Sequence, residues 1–184
     1  MGADAKAAAP AILAYHTYLA SQEGRPPYQT LAALVKIAPE SEGVQKTVLR
    51  HVAGLDESLP FIPSRPFGDP KQRERVLDLM NEMPIKSGDK MTALAAGAVA
   101  TQVKADAAVM AGQIGELDVA NKEKCTALMR VVLSKSPARA TAIEELGKLG
   151  QDAKLAVPLL TRLKTDPDGA VREAVTAALG EINK

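Results

Sequence analysis

Along residues 136–184 the apolar positions return every three or four residues. Ala142, Ile143, Leu146 and Leu149 make one stripe, Ala156, Leu159, Leu160 and Leu163 a second, and Val171, Val175, Ala178, Leu179 and Ile182 a third. Such spacing places each set on one face of an α-helix. The punctuation fits three helices: Ser136 is a plausible N-cap with Pro137 at the first helical position, Gly150 ends that helix, and Asp152 can cap the next. Asp166-Pro167-Asp168-Gly169 reads as a turn with a fresh N-cap. Pro158 lies inside the second stripe and predicts a kink or a later helix start. Carried back along the chain, the pattern predicts about ten helices, near 5–21, 28–38, 41–54, 70–83, 89–103, 105–117, 120–134, 137–149, 152–164 and 168–182. No segment shows sustained period-2 alternation between hairpin signals, so no sheet is expected and the fold class is all-α.

The stripes recur as units. Ala178-Leu179-Gly180-Glu181-Ile182, Glu145-Leu146-Gly147-Lys148-Leu149 and Gln113-Ile114-Gly115-Glu116-Leu117 are three copies of one pattern, and fainter ones stand at Leu79–Met83 and Ala33–Ile37. Their centres, at 35, 81, 115, 147 and 180, are separated by 46, 34, 32 and 33 residues. A second register agrees: Met91-Thr92-Ala93-Leu94 returns 34 residues later as Cys125-Thr126-Ala127-Leu128. Arg73, Arg139 and Arg172 fall near the starts of units, with Ala107 in the equivalent place between them. A two-helix unit of this length cannot bury its stripe alone, and stacking successive copies buries the stripes in one seam. Gly115, Gly147 and Gly180 either allow close helix approach or end helices.

Composition narrows the field of functions. With 23 basic and 22 acidic residues among 184, bulk charge does not drive binding to nucleic acid or an anionic membrane. One cysteine excludes an intrachain disulfide framework, and aromatics at 3% with no tryptophan leave little for base stacking. No apolar run is long enough for a transmembrane helix, and before Ala7 the single basic Lys6 is offset by Asp4, with Pro10 inside the short apolar stretch, a poor match to a signal peptide that favours a cytoplasmic setting.

Leu146-Gly147-Lys148-Leu149, Ala156-Val157-Pro158-Leu159-Leu160, Asp166-Pro167-Asp168 with Val171-Arg172, and Ala178–Ile182 resemble HEAT repeats of the short type first recognised in phycobilisome (bilin) lyases. The resemblance is clearest over 137–184, fair over 70–136 and faint before that. It implies a single α-solenoid domain over 1–184, a right-handed superhelix of about five repeats whose second helices line a concave binding face. Residues 1–55 would be a divergent N-terminal repeat or cap, 56–69 an insertion, and 70–184 the regular repeats. By the same resemblance, Asp166, Asp168, Arg139 and Arg172 are structural tethers between repeats. The implied function is non-catalytic: a protein-interaction or scaffold module. A bilin-lyase-like role in chromophore attachment or chaperoning is a second class, and nucleic-acid binding a third.

Two features bear on a partner. The long first interval maps to Asp56–Asp69, which holds both phenylalanines of the chain, Phe61 and Phe67, together with Arg65 and three prolines. This segment either presents its rings to a partner or folds them back over an exposed edge of the solenoid. The expected concave helices carry Lys122, Lys124, Arg130, Lys135, Lys154, Arg162 and Lys164 against Glu123 and Asp152. The expected outer helices lean acidic, through Asp106, Glu116, Glu144, Glu145, Glu173 and Glu181. A mildly basic groove of this kind would attract an acidic peptide or loop, with Lys124, Arg130, Lys154 and Arg162 as its contacts.

No catalytic constellation emerges. His16 and His51 lack metal-ligand spacing, and the His-Glu pairs of HEAT-type iron hydroxylases are replaced by His16-Thr17 and His51-Val52. Cys125 sits on the apolar face beside Leu128 and Met129 and reads as a small buried hydrophobe. No phosphate-binding loop, nucleophile elbow or zinc-protease helix is present, so neither cofactor nor metal is expected.

Overall fold

The computed structural model describes residues 3–23, 28–54, 70–101 and 104–184. Among them every regular element is helical and none is a strand. Contacts divide the chain into two compact units, Met1–Lys90 and Met91–Lys184.

The first unit holds α1 (Ala3–Ala7), α2 (Ala9–Glu23), α3 (Tyr28–Ile37), α4 (Glu42–Ala53) and α5 (Pro70–Glu82). The single helix expected over 5–21 is broken at Ala8, whose N–H closes a tight turn on the Ala5 carbonyl. Pro10 explains the break: it has no N–H to donate one turn back, and its ring crowds that carbonyl. The helix therefore restarts with Pro10 in its first turn, where the missing donor costs nothing. Helix α3 packs on α2, α4 and α5, and α4 also packs on α5. Leu31, Leu34, Val44, Val48, Val52, Val76, Leu77 and Met80 fill the core between them. Gly54, at φ 70°, caps α4 by donating its N–H to the Arg50 and His51 carbonyls.

Helix α6 (Ser87–Ala100) begins just before the second unit, which continues with α7 (Lys104–Glu116), α8 (Asn121–Leu133), α9 (Arg139–Lys148), α10 (Val157–Arg162) and α11 (Gly169–Ile182). Helix α9 packs on α7 and on α11, whereas α7 and α11 share no substantial contact among the described residues. Alongside this row, α8 packs against a 3₁₀ stretch, Gly150–Ala156, that leads into α10. Ala107, Met110, Ile114, Leu128, Val131, Ile143, Leu146, Leu160, Val175 and Ile182 close the core. The positions expected on α11 are all buried.

Pro158 resolves as a delayed start: residues 150–156 stay in 3₁₀ form and α10 opens at Val157, with the proline in its first turn. Asp152 does not cap this segment. Its carboxylate accepts instead from the Asn121 amide of α8 at 2.6 Å, tying the two chain stretches side by side. Ser136 and Pro137 fall short of the expected cap and first helical position: α9 starts at Arg139 with Ala138 at its N-cap, and the Ser136 hydroxyl oxygen accepts from the Ala138 N–H at 3.1 Å in the tight turn that precedes the helix. The same hydroxyl donates to the Ala98 carbonyl in the last turn of α6.

Of the three motif glycines none ends its helix, and each meets a different environment. A Cβ on Gly147 would stand 3.0 Å from the Ala178 Cα, so here close approach is the reason. A Cβ on Gly115 would collide with the Glu145 carboxylate, and one on Gly180 would meet nothing within 4 Å. Gly150, at φ 54°, is the glycine that follows α9.

Candidate functional site

Within residues 104–182 the helices form two rows of opposite charge. Helices α7, α9 and α11 carry four basic and six acidic side chains, whereas residues 121–135 and 150–165 carry seven basic and two acidic. Ion pairing sharpens the difference. The Arg139 guanidinium pairs with Asp166 at 2.5 Å, Lys148 with Glu145 at 2.6 Å, and Lys184 with Glu181 at 2.7 Å. No described ion pair involves Lys122, Lys124, Arg130, Lys135, Lys154, Arg162 or Lys164. Lys154 donates only a long hydrogen bond, 3.4 Å, to Gln151.

The four basic residues singled out by sequence are placed unequally. Arg130 in the last turn of α8, Lys154 on the 3₁₀ stretch and Arg162 at the end of α10 are exposed, while Lys124 is half-buried on α8. The structure brings Lys124, Arg130 and Lys154 onto two directly packed stretches; Arg162 lies further along, on a helix that packs against α11. Phe61, Arg65 and Phe67, and with them the choice between a presented and a folded-back segment, lie outside the described residues.

Asp166, Asp168, Arg139 and Arg172 form one network. Asp166 takes the Arg139 guanidinium on one oxygen and the Asp168 N–H on the other, at 3.0 Å. Asp168 accepts from the Ala170 N–H at 2.9 Å and so caps α11. Arg172 reaches back to the carbonyls of Asp166 and Pro167, at 2.7 and 3.0 Å, and Arg139 donates its Nε to the Val132 carbonyl. Arg139 beside it, helped by the Asp168 N–H, holds the Asp166 carboxyl below its ordinary range. These bonds hold the turn before α11 against the start of α9.

Glu145 departs from the sequence expectation of an outer, solvated acid: it is only 8% exposed. Its carboxylate lies in the space that Gly115 leaves open and pairs with Lys148, whose ammonium it pushes up from the usual value. Cys125 is 1% exposed, and burial raises its thiol.

The chain's two histidines, on separate helices with unremarkable sequence neighbours, meet in the first unit. Their ring centroids lie 5.3 Å apart, and both side chains are buried. The His16 Nδ1 is hydrogen-bonded to the Thr30 hydroxyl at 2.6 Å, and the His51 Nδ1–H donates to the Thr47 carbonyl at 2.8 Å. A signal existed for His51, which falls on the Val44–Val48–Val52 stripe of α4. Among the described residues no three potential metal ligands cluster, and no helix is long and apolar enough to cross a membrane. No protein-family model, characterised protein or solved structure matches the chain.

Proposed function

We propose that residues 91–184 are a short run of stacked HEAT-like hairpins and that the row formed by α8, the 3₁₀ stretch and α10 binds an acidic segment of a partner protein. The observation that carries this reading is the segregation of charge: in the first row Arg139 and Lys148 pair with carboxylates and Arg172 with backbone carbonyls, leaving Lys104 alone without a described partner, while none of the seven cations of the second row has a described counter-ion. Unpaired surface cations concentrated on one row are solvated at no great cost and gain most from an incoming carboxylate. The nearest-neighbour packing of α7, α9 and α11 supports the repeat reading, because each hairpin leans only on the next.

Fluorescence anisotropy with a labelled glutamate-rich peptide tests the reading. The expected result is saturable binding that weakens steeply between low and about 0.15 M salt, as screening predicts. Arg130→Glu with Arg162→Glu should lower affinity by at least about tenfold, equivalent to roughly 1.4 kcal/mol. Salt-insensitive binding, or full affinity in the double reversal, would sink the proposal. Tighter binding of single-stranded DNA than of the peptide would redirect it to nucleic acid.

A further inference from the structure

The charged row ends on an exposed apolar side chain, Leu133, and one hydrogen bond links the chain just beyond it to α6 next to a second, Val99. Ser136, three residues beyond Leu133, donates to the carbonyl of Ala98, the residue before Val99. That bond sets the last turn of α6 against the connection that follows α8. Leu133 is 71% exposed, the highest figure for any large apolar side chain among the described residues, and Val99 is 45% exposed. Arg130 precedes Leu133 by three residues and so shares its helical face, and Lys135 follows it by two. Both cations are exposed and neither has a described ion-pair partner.

We propose that this end of α6 and α8 is the anchor point of the binding face and that its ligand is an acidic segment bearing a bulky apolar side chain. The apolar group covers Leu133 and Val99, and carboxylates on either side meet Arg130 and Lys135. The inference rests on the binding role assigned to the basic row and adds to it a specific ligand chemistry. Carboxylates supply attraction at a distance but little discrimination, since any polyanion has them. Burying exposed leucine against an apolar partner supplies a gain that screening by salt does not remove. A uniformly anionic chain therefore satisfies only half of the patch.

Two labelled peptides of equal length and charge separate the contributions: one alternates glutamate and glycine, and the other replaces two central glycines by leucine. At about 0.15 M salt the leucine peptide should bind the intact protein at least about tenfold more tightly. Leu133→Ser should bring it to the level of the glycine peptide, and Val99→Ser should remove part of the same advantage. Val109→Ser alters an apolar residue on α7 about as exposed as Val99 and should leave both affinities unchanged, provided thermal melts show all variants folded. Equal affinity of the two peptides for the wild type, or an undiminished leucine advantage in Leu133→Ser, would overturn the anchor. Failure of both peptides to bind would instead overturn the binding role itself.

Discussion

Gly147 of α9 touches the backbone of α11 at Ala178: a Cβ on the glycine would stand 3.0 Å from the Ala178 Cα and 3.1 Å from its Cβ. Gly180 occupies the matching place one repeat later and faces open space. The same motif residue should thus respond with opposite sign. Gly147→Ala gains about 1 kcal/mol of helix propensity but incurs roughly 1–3 kcal/mol of overpacking against a backbone that cannot yield, for a net loss of about 1 kcal/mol. Gly180→Ala meets no obstacle and should gain about 0.5–1 kcal/mol. Urea denaturation of the two variants checks both signs, and a stabilised Gly147→Ala would show that the helices can part at little cost.

Acid should loosen the turn before α11. The Asp166 carboxyl is held below its ordinary value of 3.8, chiefly by the Arg139 hydrogen bond. A depressed carboxyl contributes stability that is complete above the unfolded value and disappears as pH falls through the lower, folded one. Thermal melts of the wild type should therefore show a falling Tm below about pH 3.8, where part of the fall traces to Asp166. Asp166→Asn should start from a lower Tm at neutral pH and show a shallower decline over that acidic interval. An unchanged acid slope in the variant would remove Asp166 from the account.

The His16–His51 contact joins residues 35 apart in sequence, and a double-mutant cycle can measure it. His16→Ala and His51→Ala should each destabilise the first unit by about 2–5 kcal/mol, the range for truncating a large buried side chain to alanine. Their combined effect should fall short of the sum by about 0.5–1.5 kcal/mol, as for other contacting ring pairs. Strict additivity would mean that the rings do not meet in solution.

Cys125 offers a check on the core of the second unit. Its thiol is buried and raised above the usual value of 9.0, so the native protein near pH 8 should react with a thiol reagent only as fast as the core opens. Full reactivity should appear on denaturation. Cys125→Ser places a hydroxyl in a buried apolar position and should destabilise by about 1–3 kcal/mol. Immediate labelling of the folded chain would place the thiol outside the core.

Helix positions were legible because stripe and punctuation agree, as on α11, where Asp168 caps and Val171, Val175, Ala178, Leu179 and Ile182 point inward. Local chemistry decided the departures. Pro10 broke one expected helix, and Asp152 gave up a cap for the Asn121 amide, because a side chain from a neighbouring stretch competes on equal terms with the local backbone. The candidate face was legible as a charge pattern along the chain. What the linear pattern lacked was pairing: Glu145 counts as one more acid on an outer helix until Gly115 is seen to make room for it. The meeting of His16 with His51, and of Ala98 with Ser136, depends on chain paths that no local period encodes.

The separation of charge between the two helical rows has a chromatographic consequence. An overall formal charge of +1 and an isoelectric point near 7.8 suggest a molecule indifferent to ion exchangers at neutral pH. A resin bead, however, meets one flank at a time, and the flank bearing seven cations against two anions is the one it would hold. Retention on a sulfonate matrix well beyond what the net charge warrants, with every adsorbed molecule presenting the same side, is how this protein should first make its asymmetry known at the bench.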